Sequence, residues 1–299
     1  MRCKIVLLLV LLAGYCLPAA SAEIALNARQ QQWLKDHPKI IWAPEADYQP
    51  FIFVDAQGQP RGLSSDLLAL LNQRLQLGLV AAPPGQLKDL LGAVQRHEID
   101  LLTSLRPTEE RAKLLQFTSA YVQVPTVLVL PSDSASSTDL EQLAGKPVAV
   151  GKGYAVEAYV RKHYPEIQWQ ALASDAEGLQ ALSAGKVAAA LMDLGSASYL
   201  LGQYVPASLK IGPRISFDYP LSFAYRKDWP ELGEILEVGL RSITPQEHAT
   251  ISKTWLGQLP GSPPLPDSQL LSVIATGMLL TALMLFLAYQ RRRSGKRQE

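Results

Sequence analysis

The chain has 299 residues, 48% of them hydrophobic, and a formal charge of +1. Both cysteines, Cys3 and Cys16, lie in the first 22 residues, so the remainder excludes a disulfide framework, thiol chemistry and a cysteine metal site. Residues 23–267 hold 21 Lys and Arg against 26 Asp and Glu, a mildly acidic balance that leaves no electrostatic footprint for nucleic acid.

Residues 1–22 read as a secretory signal. Arg2 and Lys4 form a basic start, Ile5 to Leu12 an apolar stretch, and Ala20-Ser21-Ala22 a small-residue cleavage site. A retained anchor is the alternative, but the apolar run is short for a span. Tyr15 is too bulky for lipoprotein processing at Cys16. Ile40–Ala43 then reads as a strand, and Ser64 to Leu77 as a helix with an apolar stripe of Leu67, Leu68, Leu70, Leu71 and Leu75. Leu87 to His97 is a second helix feeding a strand at Ile99–Leu102, and Val124 to Leu130 is a strand by its branched residues.

The polar run Pro131 to Ser137 breaks the pattern and marks a lobe boundary. Thr138-Asp-Leu-Glu141 is a predicted capping box, with Gly145 a helix stop. Pro147 to Val150 is a strand leading into Gly151-Lys-Gly-Tyr154. Ser174-Asp-Ala-Glu177 opens a helix that Gly185 closes, and Val187 to Met192 is a buried strand. Ile211 to Ile215 is a second crossing, Leu221 to Tyr225 a strand and Trp229 to Ser242 a helix. Thr244-Pro-Gln-Glu247 combines a capping box with Pro at the first helical position. Strands alternating with helices argue for α/β architecture.

The C-terminal end reads as a membrane anchor. Leu270 to Tyr289 is twenty residues without a formal charge; at about 1.5 Å per residue, a helix of that length matches a hydrocarbon core of roughly 30 Å. Arg291, Arg292, Arg293, Lys296 and Arg297 follow at once, which places the tail in the cytoplasm. The Pro-rich stretch before the span is a semi-rigid spacer.

Chemistry concentrates at one place. After the strand at Ile99–Leu102 come Thr103 and Ser104, then Pro107, then Thr108, whose side chain is placed to accept the Arg111 backbone N–H and start a helix. A guanidinium in a first helical turn, beside free N–H groups and hydroxyls, suits a bound carboxylate. The alternative is a surface Arg111 paired with Glu109 or Glu110. Elsewhere His37, His97, His163 and His248 show no metal-ligand spacing. There is no P-loop, no Rossmann fingerprint and no G-x-S-x-G, and Gly151-Lys-Gly153 lacks the rest of a phosphate loop. No cofactor is expected.

Thr108-x-x-Arg111 followed by Phe117-Thr-Ser-Ala-Tyr121 resembles the signature of the family 3 bacterial solute-binding proteins, periplasmic Venus-flytrap receptors best known for amino acids. The resemblance extends upstream to Tyr48-Gln-Pro-Phe-Ile-Phe53, Asp55, Gly58, Gly62 and Asp66-Leu67. Downstream it takes in Leu143 to Val150, Gly185 to Asp193, Phe223 to Leu232, Ile243 to Glu247 and Trp255-Leu-Gly257, so it covers roughly residues 33–257. The last block looks most like the flytrap modules of large bacterial sensor kinases. The resemblance implies a two-lobed α/β periplasmic binding protein-like (type II) fold, to which the sequence adds a C-terminal transmembrane helix. The expected organisation is a signal peptide at 1–22, lobe 1 from 23–130 and 214–257, and lobe 2 from 131–213. A Pro-rich linker at 258–268, a transmembrane helix at 269–290 and a basic tail at 291–299 complete it.

By the same resemblance, Arg111 clamps a ligand carboxylate, Asp193 holds a ligand amino group and Tyr48 packs over the ligand, while Ser104 and Arg106 line the cleft. Asp193 has the alternative role of a helix N-cap, and Tyr48 that of lobe packing. Two positions depart from the family pattern. Tyr154 stands where a hydroxyl residue is common, and would fill part of the cleft or stack on a flat ligand. Arg106 replaces a small hydroxyl residue, which suggests a more acidic ligand or an internal salt bridge. The expected function is a membrane-anchored periplasmic receptor for a small carboxylate or amino-acid-like molecule, not an enzyme, with a transporter or sensor kinase as partner. The alternatives are a cyclohexadienyl-dehydratase-like enzyme and a non-binding interaction module.

Overall fold

A computed structural model describes residues 26–135, 137–204 and 208–257 of the protein. The expected signal at 1–22, linker at 258–268, span at 269–290 and tail at 291–299 lie outside the described residues. Among those described, no helix is long and apolar enough to cross a membrane. The chain divides into one unit over Met1–Leu256 and another over Gly257–Glu299; every element below belongs to the first.

The first stretch carries α1 (Ala28–Asp36), β1 (Ile40–Ala43), β2 (Asp47–Tyr48), β3 (Ile52–Val54), β4 (Pro60–Arg61), α2 (Leu63–Leu75), β5 (Leu79–Ala81), α3 (Leu87–Gln95) and β6 (Leu101–Leu105). A 3-10 turn at Arg111–Lys113 leads to β7 (Leu115–Phe117) and β8 (Val122–Pro131). A second 3-10 turn at Glu141–Leu143 precedes β9 (Pro147–Gly151), α4 (Ala155–His163), β10 (Gln168–Leu172), α5 (Asp175–Ser183), β11 (Ala189–Asp193) and α6 (Leu194–Tyr204). The chain returns through β12 (Leu209–Arg226) and ends in α7 (Pro230–Ser242) and α8 (Pro245–Leu256).

Strand order reads β10-β9-β11-β8-β12-β6-β1-β5, with β7 also paired to β12. The 18-residue β12 serves two sheets. Its last residues pair antiparallel with β6 and β7, beside the parallel strands β1 and β5. Its first part pairs with β8, which pairs antiparallel with β11, beside the parallel strands β9 and β10. These are the cores of two lobes, joined by the β8–β12 ribbon. The strand at Val124–Leu130, which its apolar composition leaves unassigned to either lobe and the expected boundary at 131 puts in lobe 1, is thus paired inside the second sheet. Composition identifies a strand; its neighbours are set by tertiary pairing.

The first lobe buries most of the stripe its periodicity announces. In α2, Leu67, Leu68, Leu71 and Leu75 are buried, against α7, whose Leu232, Ile235 and Leu236 are equally inaccessible. Each such side chain contributes about 1.5–3 kcal/mol of transfer free energy. Leu70, expected in the stripe, is only half-buried and lines a surface groove between α2 and α8. Gly62, before α2, has φ +121°, and a Cβ there would sit 2.4 Å from the Phe51 carbonyl oxygen; only glycine fits that turn.

The capping signals divide. Thr244 and Glu247 exchange hydrogen bonds as expected, Thr244 N donating to Glu247 Oε2 at 2.9 Å and Glu247 N to Thr244 Oγ1 at 3.3 Å. Ser174 Oγ accepts from Glu177 N at 3.2 Å. The box expected at Thr138–Glu141 does not form: Asp139 Oδ1 accepts from Gln142 N at 3.1 Å, and only a 3-10 turn follows. The acidic side chain already present inside the turn captures the free N–H. Asn27 and Gln30 make a capping box at α1, a signal legible in the sequence and not singled out there.

Candidate ligand-binding cleft

The cleft lies where loops at the strand ends of the two lobes face each other. Pro44–Ala46 follows β1, the 104–111 segment follows β6, and the 151–155 turn joins β9 to α4. These bring Glu45, Tyr48, Ser104, Arg106, Arg111, Tyr154 and Tyr219 around one small cavity. The sequence-predicted set is therefore assembled, with Asp193 set deeper behind Tyr48.

Arg111 is reached as the local sequence implies: its backbone N–H donates to Thr108 Oγ1 at 3.2 Å. The segment that follows is a three-residue 3-10 turn rather than the expected helix. Arg111 is 8% exposed. It donates to the Arg106 carbonyl at 2.9 Å and, across the cleft, to the Gly153 carbonyl at 3.1 Å. Among the described residues no carboxylate forms an ion pair with it, so neither Glu109 nor Glu110 is its partner. Burial pushes its pKa down, while Tyr219 and Glu45 act in the other direction. Arg111 also borders a groove of about 1070 Å³ at the cleft mouth, with Thr108, Glu110, Tyr154, Glu157 and Arg161 around it.

Tyr154 fills the space opposite. Its hydroxyl donates to Glu45 Oε1 at 2.9 Å, and its ring lies 5.3 Å from that of Tyr48. Burial raises the Glu45 pKa to about 7, with the Tyr154 hydrogen bond and the Arg111 charge pulling it back. Among the described residues Arg106 makes no salt bridge; its Nε donates to the Asp218 carbonyl at 2.7 Å and its guanidinium lies 4.1 Å over the Phe217 ring. Both partners belong to β12, so Arg106 also ties the lobes together. Ser104 has φ +58°, uncommon for a non-glycine residue. Its hydroxyl is turned inward, donating to Ser64 Oγ at 2.7 Å, while its N–H donates to the Tyr121 hydroxyl at 2.7 Å.

Asp193 sits at the start of α6 and accepts the Ser196 N–H at 2.8 Å, the capping geometry its position suggested. The Ser196 hydroxyl lies 2.8 Å from both Asp193 Oδ2 and the Gln49 carbonyl of the opposite lobe. One hydroxyl proton cannot serve two acceptors. It goes to either the Asp193 carboxylate or the Gln49 carbonyl. Burial raises the Asp193 pKa to about 6, while the Ser196 N–H and hydroxyl pull it back. Asp175, at the start of α5, is pushed well up by burial and by the Asp193 charge. The Tyr48 hydroxyl is buried beside Asp193 and helps hold down its pKa.

Cross-lobe contacts are thus direct, and they leave a cavity of about 10 Å³ between Arg111, Tyr154 and Tyr219, room for one water at most. Glu45, Asp175, Phe217 and Tyr219 belong to the cleft and were not singled out from the sequence. Glu45, following Pro44 at a strand end, was the detectable one. Tyr219 and Phe217 sit mid-strand, where alternation reads as packing.

The profile of the bacterial extracellular solute-binding proteins, family 3, matches residues 40–258. The virulence sensor protein BvgS of Bordetella pertussis is 27% identical over 284 residues, covering 93% of this chain and 23% of its own length. The chain therefore spans about a quarter of that relative. The crystal structure of the BvgS periplasmic VFT2 domain superposes with a TM-score of 0.71 at 27% identity, covering 77% of this chain and 99% of that one. An ancestral arginine-binding protein bound to arginine gives a TM-score of 0.68 at 26% identity, covering 74% and 99%.

Proposed function

Because the chain belongs to the bacterial extracellular solute-binding proteins of family 3, we propose that it is a membrane-anchored periplasmic receptor for a small carboxylate or amino-acid-like ligand, acting in sensing. It is a periplasmic binding-protein module related to sensor proteins, and not an enzyme. One observation carries the ligand class: the buried Arg111 guanidinium has carbonyl partners and, among the described residues, no ion pair. An unpaired buried cation is costly, and a carboxylate of the ligand would complete it with charge-assisted hydrogen bonds. Asp193 is the partner for a ligand amine, and Tyr48 packs beside it.

Tyr154 and Tyr219 occupy the volume between these groups. A ligand therefore competes with the protein's own side chains, and binding requires lobe separation or displacement of Tyr154. Relatives named as sensors favour signalling over transport. The anchor and the partner that receives the signal rest on the uncharged run at 270–289 and its basic flank. The filled cleft also favours a second reading, in which the module passes signals to a membrane partner without a ligand of its own.

The test is a thermal-shift screen of the full chain in detergent against amino acids and small mono- and dicarboxylates. A hit whose affinity falls at least about tenfold, roughly 1.4 kcal/mol, in Arg111→Ala supports the receptor. Hits indifferent to Arg111→Ala discard the site, and a screen with no hits selects the second reading.

A further inference from the structure

Helix α8 is held in an unusual way. None of its residues is buried, and it lies against α2 of the first lobe and α6 of the second. Its attachments are few and they cluster at its two ends. In the first turns, His248 Nε2 donates to the Tyr121 carbonyl at 2.6 Å, and Glu247 pairs with Arg74 at 2.5 Å. At the far end, Trp255 Nε1 donates to Asp66 Oδ2 at 2.6 Å, and the indole meets the Phe53 ring edge-on at 5.8 Å.

Both ends reach residues whose positions depend on the lobes. Tyr121 directly precedes β8, one of the two crossing strands, and its N–H donates to the Leu221 carbonyl of the other at 3.0 Å. Its hydroxyl accepts from Ser104 in the cleft wall. Phe53 lies near both Trp255 and Tyr199 of α6, the latter at 6.2 Å. The start of α6 lies in the lobe interface: Ser196 reaches the Gln49 carbonyl, and a Cβ on Gly195 would sit 2.6 Å from the Phe51 ring. Helix α6 is thus a lever with one end in the cleft and its middle against Phe53.

We propose that α8 is the output element of this domain, reading lobe closure through the Tyr199–Phe53–Trp255 contacts at its end and the Tyr121–His248 bond at its start. Opening of the lobes carries Tyr199 away from Phe53 and turns the Tyr121 peptide, so both attachments weaken together. With no buried side chain to hold it, α8 then loosens. A coupling of this kind needs no bound ligand and is independent of which molecule the cleft accepts.

Hydrogen exchange on the full chain in detergent tests it. Gly195→Leu wedges the lobes apart, and Glu45→Lys does so independently by placing a cation against Arg111. Opening is verified by faster exchange in residues 153–161. In either opened variant the α8 amides should exchange at least about threefold faster than in the parent, a change within reach of one or two lost hydrogen bonds. Phe53→Leu and His248→Ala should reduce that increment, so that closed and opened forms give nearly the same α8 rate. If opening leaves α8 unchanged, or if Phe53→Leu and His248→Ala add the same increment to closed and opened forms alike, the coupling is refuted and these contacts are merely structural.

Discussion

The Tyr154 hydroxyl donates to Glu45 across the cleft at 2.9 Å, joining a phenol of one lobe to a buried carboxyl of the other. Tyr154→Phe keeps the ring and removes only the donor, leaving the Glu45 carboxyl without it. The expected loss is about 1–3 kcal/mol of stability, measured by urea unfolding of full chain and variant. A change within about 0.5 kcal/mol, the range of ordinary surface substitutions, would show that the bond does not hold the lobes.

Closure should depend on pH with a defined sign. Glu45 titrates near 4.5 when free and at about 7 in the closed cleft. The closed state binds more protons between those values, so its stability falls as pH rises through that window and is flat on either side. The groups facing Glu45 are Tyr154, Arg111 and Asp47. Asp193 acts in the same direction between 3.8 and about 6. Glu247, depressed to about 2 by the Thr244 backbone and Arg74, acts oppositely and only below 4.5. Melting temperature should drop between about pH 5 and pH 7, and Glu45→Gln should flatten the slope. A steeper fall in Glu45→Gln than in the parent would contradict this assignment.

Gly62→Ala places a methyl group on the Phe51 carbonyl at a φ of +121°. Strain at such a position costs on the order of 1–3 kcal/mol before the clash is added. The variant should unfold at markedly lower urea than the parent, whereas Gly58→Ala, with φ +76° and open space around it, should lose only the strain. Equal losses in the two would show that the Phe51 carbonyl yields.

Reporter fusions after residues 260 and 299 test the anchor. A periplasmic reporter should be active at the first position and a cytoplasmic one at the second, because the charges after the uncharged run at 270–289 are all basic up to Arg297. The opposite pattern removes the periplasmic placement of the cleft.

Local physics made much of this domain legible. The leucine stripe of α2, the Thr244–Glu247 box and the Thr108–Arg111 bond all depend on neighbours within a turn or two, and each is where the residues put it. What a side chain meets across the molecule was not legible. Ser104 reads as a cleft hydroxyl, yet its Oγ is taken by Ser64, 40 positions away. Arg106 suggests a second anion-binding charge, but a carbonyl and an aromatic face of β12 engage it. Glu45 stands out only once Tyr154, 109 positions away, is seen to reach it. In each case the deciding partner comes from the other lobe or a distant element of the chain, and no periodicity encodes that.

The long strand β12 has a consequence for folding. Both sheets need it: the first lacks a neighbour for β6 and β7 without it, and the second leaves β8 an open edge. It also follows every other strand described, so neither sheet can complete before residues 209–226 are available. Pairings of such sequence separation are slow to form. Once formed, they make the two halves share one cooperative transition, since losing β12 undoes both. A denaturation curve with a single step, coincident by tryptophan fluorescence and circular dichroism, is the signature expected of a molecule closed by one late strand.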